Sequence, residues 1–553
     1  MALGKGNAGS IAGSFSWDFV MAAPLDSSSP AAATAEVGGS LQRPTYRIAS
    51  ALFWRMLGVV YLIAFVSLWT QISGLVGDDG ILPAADFLDA VEQHYAQRDP
   101  PASPVWNVPT LAWISPHDGL LHLLCGAGML FSLLLVAGLL PVPMLLGLWL
   151  CYLSLLHVGQ VFLSFQWDIL LLETGFVALF VAPLVVRSRF LADRHPPLAA
   201  LWLVWWLLFR LMFESGVVKL TWNDAPLGPD GSPVANTWES LTALDYHYWT
   251  QPLPLRTSWY ADKLPGWFQK LSVVVVLVIE LGFPWLIFGP RRGKYVACAG
   301  IILLIVLIGC TGNYNFFNLL TVVLAITLLD DKIWPRTLRN RITATDVPVV
   351  FSPKRWGNIL LLPFVGLVVF QGVLQVKQAV LPSAPVAQPM EFQVNISQFC
   401  LVNDYGLFRR MTQTRPEIVI EASADGREWK PYEFRWKPGD LAEPPRCNTP
   451  HQPRLDWQMW FEALRLERVY DATGTIHPRH MSPWFQLLLK RLAVGEPQVL
   501  GLLAGNPLPN GPAEFIRITL YQYRFTSAAK ARETGHWWNR KLVWRGPAWA
   551  LGP

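Results

Sequence analysis

Residues Ala200–Trp222 form an apolar stretch that is long enough to cross a lipid bilayer as a helix. The second half of this stretch contains Arg210, Glu214 and Lys219. A charge at the centre of a spanning helix costs roughly 2.5–3.5 kcal/mol on insertion scales, and such residues face a protein interior or a wet cavity. The stretch therefore predicts a helix inside a bundle. Arg210 and Glu214 are four residues apart, so they are predicted to pair on one helical face.

The composition is that of a membrane protein. Of the 553 residues, 52% are apolar and 15% are charged, against about 25% charged in soluble domains. The net charge of +5 gives no indication of nucleic-acid binding. The six cysteines are widely spaced, and no CxxC motif or Cys/His cluster accompanies them. We therefore predict no metal site and no cofactor.

About nine apolar stretches are long enough, or nearly long enough, to span a bilayer. They lie near residues 51–76, 119–140, 142–163, 168–186, 200–220, 270–289, 294–312, 315–329 and 357–382. We therefore predict a multi-pass helical domain over residues 47–383. Residues 1–46, which are rich in Gly, Ala and Ser, are predicted to form a disordered cytoplasmic tail without a cleaved signal peptide.

Basic residues in the loops predict the orientation in the membrane. They cluster before the first stretch and after the fourth, sixth and eighth, whereas loops 77–118 and 221–268 contain few of them. With nine spans all four clusters fall on the side of the N-terminus, which the positive-inside rule makes cytoplasmic. The C-terminal region is then extracytoplasmic, facing a lumen, or the periplasm in a bacterial inner membrane.

The pattern changes at about residue 384. Apolar and polar residues alternate in EFQVNISQF, PEIVIEAS, EWKPYEFRW and FIRITLYQYRF, as in antiparallel strands. Helical spacing interrupts them at Leu455–Leu464 and Trp484–Leu492. We predict that residues 384–553 form a soluble β-rich domain with inserted helices.

Several longer phrases resemble the lipase maturation factor family, and they occur in the family's order along the chain. They include QWDILLLETGF (166–176), LLFRLMFESGVVKL (207–220), LDYHYWTQPLP (244–254) and PHQPRLDWQMWF (450–461). The resemblance implies a multi-pass protein of the endoplasmic reticulum membrane with a lumenal C-terminal domain. It also implies a folding factor, not an enzyme, whose clients are exported proteins, namely secreted dimeric lipases.

A weaker resemblance leads to an alternative. The end of the charged helix, Gly216–Trp222, resembles the segment of vitamin K-dependent γ-glutamyl carboxylases that contains their active-site base. That resemblance implies a membrane enzyme with Lys219 as base and with Arg210 and Glu214 organising its pocket. The plainer interpretations are a packing ion pair and a lysine that extends to the membrane interface. A transporter is a third alternative, although no inverted repeat supports it.

Further polar residues are expected near the ends of spans. Asp168 and Glu173, together with His157 and Gln160, predict a hydrogen-bond network at one end of a helical hairpin, with a proton relay as the alternative. The asparagines in Gly312–Asn318 predict a tight turn.

Two aromatic segments are candidates for client binding. In the first, Tyr246, His247, Tyr248 and Trp249 are explained either by the membrane interface or by an adhesive surface for unfolded clients. The second segment is either a structural clasp within the C-terminal domain or a client-contact surface, and it contains His451, Arg454, Asp456, Trp457 and Trp460. No serine or cysteine nucleophile with its own motif accompanies these residues. Cys400 and Cys447 are the two cysteines of the C-terminal region, and they either pair as a disulfide or remain free.

Overall fold

A computed structural model of the protein describes residues 44–97, 103–188, 196–221, 236–343, 356–382, 397–509, 511 and 513–550. The predicted disordered tail lies outside the described residues, except for its last three positions. The described residues from Pro44 onward belong to one compact unit.

The first part of the chain is helical. In chain order its helices are α1 (Arg47–Trp69), α2 (Ile72–Val76), α3 (Ala84–Ala96), α4 (Pro104–Asn107), α5 (Asp118–Val136), α6 (Pro141–Val158), α7 (Gln166–Val181), α8 (Leu198–Thr221), α9 (Ala243–Thr250), α10 (Arg256–Ala261), α11 (Gly266–Leu277), α12 (Phe283–Leu286), α13 (Arg291–Thr311), α14 (Phe316–Ile326), α15 (Arg336–Thr343) and α16 (Trp356–Val380). A π-helical turn, Val278–Gly282, joins α11 to α12 and makes Gly266–Leu286 one span. Short 3-10 helices occur at Leu111–Trp113 and Gln160–Phe162.

Seven helices among the described residues are long and apolar enough to cross a membrane, so the prediction of about nine spans is not confirmed. The seven are α1, α5, α6, α8, α11 with α12, α13 and Leu362–Val380 of α16. The predicted fourth and eighth stretches form α7, with 16 residues, and α14, with 11. Their rise of 1.5 Å per residue gives lengths of about 24 and 17 Å, less than the roughly 30 Å hydrocarbon core. Both still pack inside the bundle, against α1 and α8.

The C-terminal region is a small antiparallel sheet with helices packed on it. Its elements are β1 (Pro416–Ser423), β2 (Lys430–Pro431), α17 (Arg454–Thr473), α18 (Pro483–Val494), α19 (Pro497–Leu500), β3 (Phe515–Phe525), α20 (Ala528–Thr534), β4 (Trp538–Arg545) and β5 (Trp549–Ala550). The strand order is β2-β1-β3-β4, and β5 pairs with β3. The register of the central pair runs from Pro416 opposite Gln522 to Ser423 opposite Phe515.

The predicted strands are only partly present. PEIVIEAS and FIRITLYQYRF form β1 and β3 as predicted, and both predicted helices exist as α17 and α18. Within EWKPYEFRW only Lys430–Pro431 pairs, because the following residues turn away to contact α17. Most of EFQVNISQF lies outside the described residues. The sequence did not predict β4 and β5.

Charged contacts tie the helix ends together on the side of the bundle remote from the C-terminal sheet. The backbone N–H groups of Arg47 and Ile48 donate to Asp331 over 3.1 and 2.9 Å. Arg291 forms an ion pair with the buried Asp330. We call this the basic end of the bundle, and we call the side that meets the C-terminal region the domain end. Arg47 and Arg291, which belong to the basic clusters used to predict a cytoplasmic side, lie at the basic end, while the orientation itself stays a prediction.

The apolar core is continuous from the bundle into the C-terminal region. Phe65 in α1, Leu171 in α7 and Ile418 in β1 are all buried in one cluster. This explains why the described residues form one unit although the sequence changes character at about residue 384. The boundaries 47–383 and 384–553 stay predictions about sequence pattern.

Candidate functional site

The buried charge of α8 pairs across the bundle and not along its own helix. Arg210 donates through Nη2 to Glu173 on α7, and both side chains are 0% exposed. The predicted Arg210–Glu214 pair does not form, because Glu214 instead accepts the backbone N–H of Tyr405 over 2.9 Å. A buried charge needs a closely placed partner of opposite charge. The neighbouring helix α7 provides that partner for Arg210.

A short segment of the C-terminal region lies against these charges. We call Val402–Gly406 the inserted segment. The backbone N–H of Asn403 and its side-chain amide donate to Glu173 Oε2 over 2.9 and 3.0 Å. The Tyr405 hydroxyl donates to the same oxygen over 2.8 Å. Arg210 Nη1 donates in turn to the backbone oxygen of Asn403 over 2.8 Å. The inserted segment therefore completes the hydrogen bonding of an ion pair inside the bundle.

A second buried ion pair joins the C-terminal helix α17 to α7. Arg454 donates to both carboxylate oxygens of Asp168 over 2.6 and 2.7 Å, and Tyr152 donates to Asp168 over 2.5 Å. Such bidentate, charge-assisted pairs are the stronger class of hydrogen bond. Burial by itself would lower the pKa of Arg454, but the Asp168 carboxylate outweighs it and raises that pKa above its usual value. Arg454 stays charged at any physiological pH.

The end of α1 is held by the residues just before α17. Ser67 Oγ accepts the backbone N–H of Gln452 over 2.7 Å. Gln71 donates to the backbone oxygen of Gln452 over 2.9 Å and accepts the N–H of Arg454 over 2.8 Å. His451 Nδ1 lies 3.2 Å from Ser67 Oγ. The segment PHQPRLDWQMWF thus binds the end of α1, whereas the sequence predicted a clasp within the C-terminal domain. Client contact by this segment stays a prediction.

The asparagines between α13 and α14 also contact this region. Asn313 donates to the backbone oxygen of Arg446 over 2.9 Å, and Asn315 donates to Gln452 Oε1 over 2.7 Å. Thr449 donates to Asn315 over 3.0 Å. The predicted tight turn is present, and its side chains bind the C-terminal region as well.

The aromatic segment 244–254, of which residues 244–250 belong to α9, is largely enclosed. His247, Tyr248 and Trp249 are buried, and Tyr246 is half-buried. Arg415, which is itself buried, donates to the backbone oxygens of Trp249 and Pro252, in each case over 2.9 Å. In the described arrangement this segment therefore binds the chain's own C-terminal region.

The candidate residues of α17 are also mostly enclosed. Asp456 accepts the backbone N–H groups of Trp436 and Lys437 over 3.0 and 2.9 Å. Burial outweighs these bonds and raises the pKa of Asp456 to about 6. Trp457 is buried edge-on against Trp167, with 4.7 Å between ring centroids. His451 and Trp460 are half-buried. Client binding by any of these side chains stays a prediction.

Lys219 forms a third buried pair. Its Nζ lies 2.7 Å from Glu280 Oε2 and donates to the backbone oxygen of Ser215 over 2.9 Å. The Lys219 side chain is 4% exposed and ends in this ion pair. One interpretation of the sequence had expected it to extend to the membrane interface instead. A Cβ on Gly216 would lie 2.9 Å from Glu280 Cβ, so glycine permits this close approach. Glu280 was not among the residues predicted from the sequence, although a single acid in an apolar stretch could have indicated it.

The remaining residues that the sequence suggested do not lie together in one site. His157 lies 2.9 Å from the backbone oxygen of Gln398, and Gln160 donates to that of Leu82 over 3.1 Å. Cys400 and Cys447 are both free; the first is buried and the second exposed. Within the described ranges no group of three His, Cys, Asp or Glu side chains is placed to hold a metal ion.

Comparison with known proteins gives a consistent family. The family model described as the lipase maturation factor transmembrane domain matches residues 48–336, and the lipase maturation factor C-terminal domain matches residues 401–545. Similar proteins include lipase maturation factor 2 of Homo sapiens, 37% identical over 90% of this chain and 82% of the relative. Lipase maturation factor 2 of Xenopus laevis is 36% identical over the same shares. Lipase maturation factor 1 of Homo sapiens is 29% identical over 91% of this chain and 88% of the relative.

No solved structure matches the chain. None of these comparisons supports the carboxylase alternative suggested by Gly216–Trp222. Two family models therefore cover both the helical bundle and the C-terminal region, and curated relatives extend over most of the sequence. The chain is a multi-pass membrane protein and belongs to the lipase maturation factor family.

Proposed function

We propose that this protein is a membrane-embedded maturation factor that assists the folding and assembly of secreted lipases in the endoplasmic reticulum. The observation that carries the proposal is the match of both parts of the chain to lipase maturation factor domains. Its relatives are named for the same role over about nine-tenths of this chain. The clients would be lipases that expose apolar surface before they assemble, since such intermediates aggregate unless they are held.

The buried charges support a structural role for the bundle. Arg210 pairs with Glu173, Arg454 with Asp168, and Lys219 with Glu280. Each cation is held by an acid on a different element, so the pairs fix helices and the C-terminal region in one arrangement. Such a scaffold would act on its clients by binding, and we infer that it acts without an active site.

The proposed location puts the domain end of the bundle in the lumen, where a lipase folds. The basic end, with Arg291 and Arg47, would then face the cytoplasm, in keeping with the positive-inside rule. Exposed apolar side chains near the domain end include Trp106 and Ile114, 69% and 79% exposed. Residues of this kind serve at membrane interfaces and at partner sites alike.

Lipase secretion tests the proposal. Lipase-producing cells that lack their own family members would be complemented with this chain, and the specific activity of the secreted lipase would be measured. We expect recovery with the full chain and loss of that recovery with Arg454→Ala, which removes the buried ion pair between α17 and α7. The matched control is Arg446→Ala at an exposed ion pair, which should complement fully. Unchanged lipase activity with and without the full chain would refute the proposal.

A further inference from the structure

We propose that the polar groove that holds the inserted segment is a binding site for extended polypeptide backbone. In this structure the chain's own Val402–Gly406 occupies the groove, and an unfolded stretch of a client protein binds there by displacing it. The inference rests on the proposed function, since it names the part of a client that is recognised. We call the side chains that line the site the acceptor groove: Gln166, Glu173, Arg210, Glu214 and Gln375.

The groove contacts main-chain groups at successive positions of the inserted segment. Backbone N–H groups of Asn403, Tyr405 and Gly406 donate to Glu173, Glu214 and Gln166 over 2.9, 2.9 and 3.2 Å. Two backbone oxygens are held as well, that of Val402 by Gln375 over 3.2 Å and that of Asn403 by Arg210 over 2.8 Å. Every residue except proline has both groups. A site that binds backbone N–H and C=O groups accepts extended chains of many sequences, and a factor that acts on unfolded proteins requires such tolerance.

The acceptor groove has capacity that the inserted segment does not use. Glu214 is 1% exposed, and its Oε1 accepts no hydrogen bond from the described residues. Arg210 is fully buried, and its Nε likewise has no hydrogen-bond acceptor in the described part of the chain. Buried polar atoms are usually satisfied, because leaving them unpaired is costly. One spare acceptor and one spare donor on side chains of the acceptor groove indicate a site built for more than this one occupant.

The first part of the inserted segment is accessible, and strained backbone positions flank the segment. Asp404 is exposed, and Val402 and Asn403 are half-buried, whereas Tyr405 and Gly406 are buried. Two non-glycine residues bracket the segment in the left-handed region, Cys400 at φ 51° and Phe408 at φ 54°. L-amino acids with side chains adopt this region at a cost, and such positions concentrate at clamps and switch regions.

Two side chains favour the chain's own segment over a client. The Tyr405 hydroxyl donates to Glu173 over 2.8 Å, and the Asn403 amide does so over 3.0 Å. Neither contact is available to a client of arbitrary sequence. The tether also gives the inserted segment a high local concentration. Together these side-chain contacts and the tether keep the inserted segment bound in the groove until a client segment is present in excess.

Site-specific crosslinking in cells tests this exchange. A photo-crosslinking amino acid would replace Ile169, which is half-buried on α7 and whose backbone oxygen lies 3.4 Å from the Asn403 amide nitrogen. Leu179, half-buried further along α7, is the matched control position. A third probe at Phe461, 43% exposed on α17, would detect clients that approach the C-terminal region without entering the groove. All three would be made in the full-length protein while a lipase is being synthesised.

We expect the lipase to crosslink at Ile169 and not at Leu179. Tyr405→Phe removes one contact of the inserted segment and should raise the Ile169 yield several-fold. If the probe at Ile169 crosslinks only to other residues of this chain, with and without Tyr405→Phe, the inference is overturned. Capture of lipase at Phe461 would then leave the proposed function intact. Absence of lipase at every probe would overturn both.

Discussion

Arg454 and Asp168 are 286 positions apart in the sequence and form a bidentate ion pair inside the protein. Their contacts of 2.6 and 2.7 Å join the first turn of α17 to the first turn of α7. The side chains are 1% and 0% exposed, so neither charge has water as a substitute partner. The C-terminal region is therefore part of the interior of the bundle and not an appendage to it.

This relationship gives a stability prediction. Arg454→Met leaves the Asp168 carboxylate buried with Tyr152 as its remaining side-chain donor, which should cost about 3–5 kcal/mol of unfolding free energy. The double variant Arg454→Met/Asp168→Asn removes both charges and should recover much of that loss. Thermal unfolding in detergent, read by protease resistance, measures both.

The matched control is Arg446→Met, whose partner Glu443 lies 2.7 Å away with 55% of its side chain exposed. An exposed pair contributes roughly 0–1 kcal/mol, so this variant should unfold close to wild type. Equal destabilisation by Arg454→Met and Arg446→Met would contradict the assigned role of the buried pair.

A second prediction concerns Lys219 and Glu280. Lys219→Met should destabilise the protein because it leaves a buried carboxylate unpaired. Lys219→Met/Glu280→Leu, which replaces the pair by apolar side chains, should restore both stability and lipase maturation. A chemical role for Lys219 predicts the reverse for function: the double variant would fold and remain inactive. Melting temperature and secreted lipase activity, measured on the same variants, separate the two.

Two glycines of α16 give a third prediction with an internal control. A Cβ at Gly372 would lie 2.5 Å from Trp206 Nε1 and 2.8 Å from Arg210 Cδ, whereas one at Gly366 would meet nothing within 4 Å. Gly372→Ala should therefore push α16 from α8 and cost about 1–3 kcal/mol. Gly366→Ala should be neutral or gain up to about 1 kcal/mol of helix stability. Similar melting temperatures for the two variants would show that α16 does not pack on Arg210 as described.

The fourth prediction is a pH dependence at the domain end. Burial, followed by the charge of Arg454, lowers the pKa of His451 from 6.5 to about 4. The unfolded chain therefore binds a proton at this residue at higher pH than the folded chain does. The contribution of His451 to stability is fully present above pH 6.5 and is lost as the pH falls towards 4. His451→Gln should remove this loss of stability on acidification, and a melting-temperature profile parallel to wild type would exclude His451 as the cause.

Asp456 opposes that trend. Its folded pKa is raised to about 6 from 3.8, so its contribution is fully present below pH 3.8 and is lost as the pH rises through 6. The two groups act in opposite directions over nearly the same interval. The wild-type profile is consequently flatter than either group alone would produce, and His451→Gln should expose the rise in stability on acidification that Asp456 causes.

The sequence predicted correctly that α8 carries its charges inside a bundle, but it did not predict which residues those charges contact. The charges in an apolar stretch correctly placed α8 inside a bundle, and period-two alternation correctly gave β1 and β3. The i, i+4 rule assigned Glu214 to Arg210 because it considers one helix at a time. The actual partner of Arg210 is Glu173, on a neighbouring helix. The actual partner of Glu214 is the backbone N–H of Tyr405, in a segment beyond the bundle. Tertiary packing decides such partners, and spacing along one helix does not encode it.

The predicted count of about nine spans is not confirmed, for a related reason. Apolar residues continue beyond α7 as Leu184, Val185 and Val186, yet the helix ends at Val181 because Pro183 follows closely. The length of an apolar run is an upper bound on the length of its helix. The two short helices are apolar because they are covered by their neighbours.

The separation of Arg454 and Asp168 along the chain has a consequence for biosynthesis. Ribosomes add about 5–20 residues per second, so roughly 15–60 s pass between synthesis of α7 and synthesis of α17. During that interval Asp168, Glu173 and Glu214 reside in a nascent bundle that lacks its partners from the C-terminal region. This protein therefore passes through an intermediate of its own, in which three acids of the bundle still lack their partners from the C-terminal region.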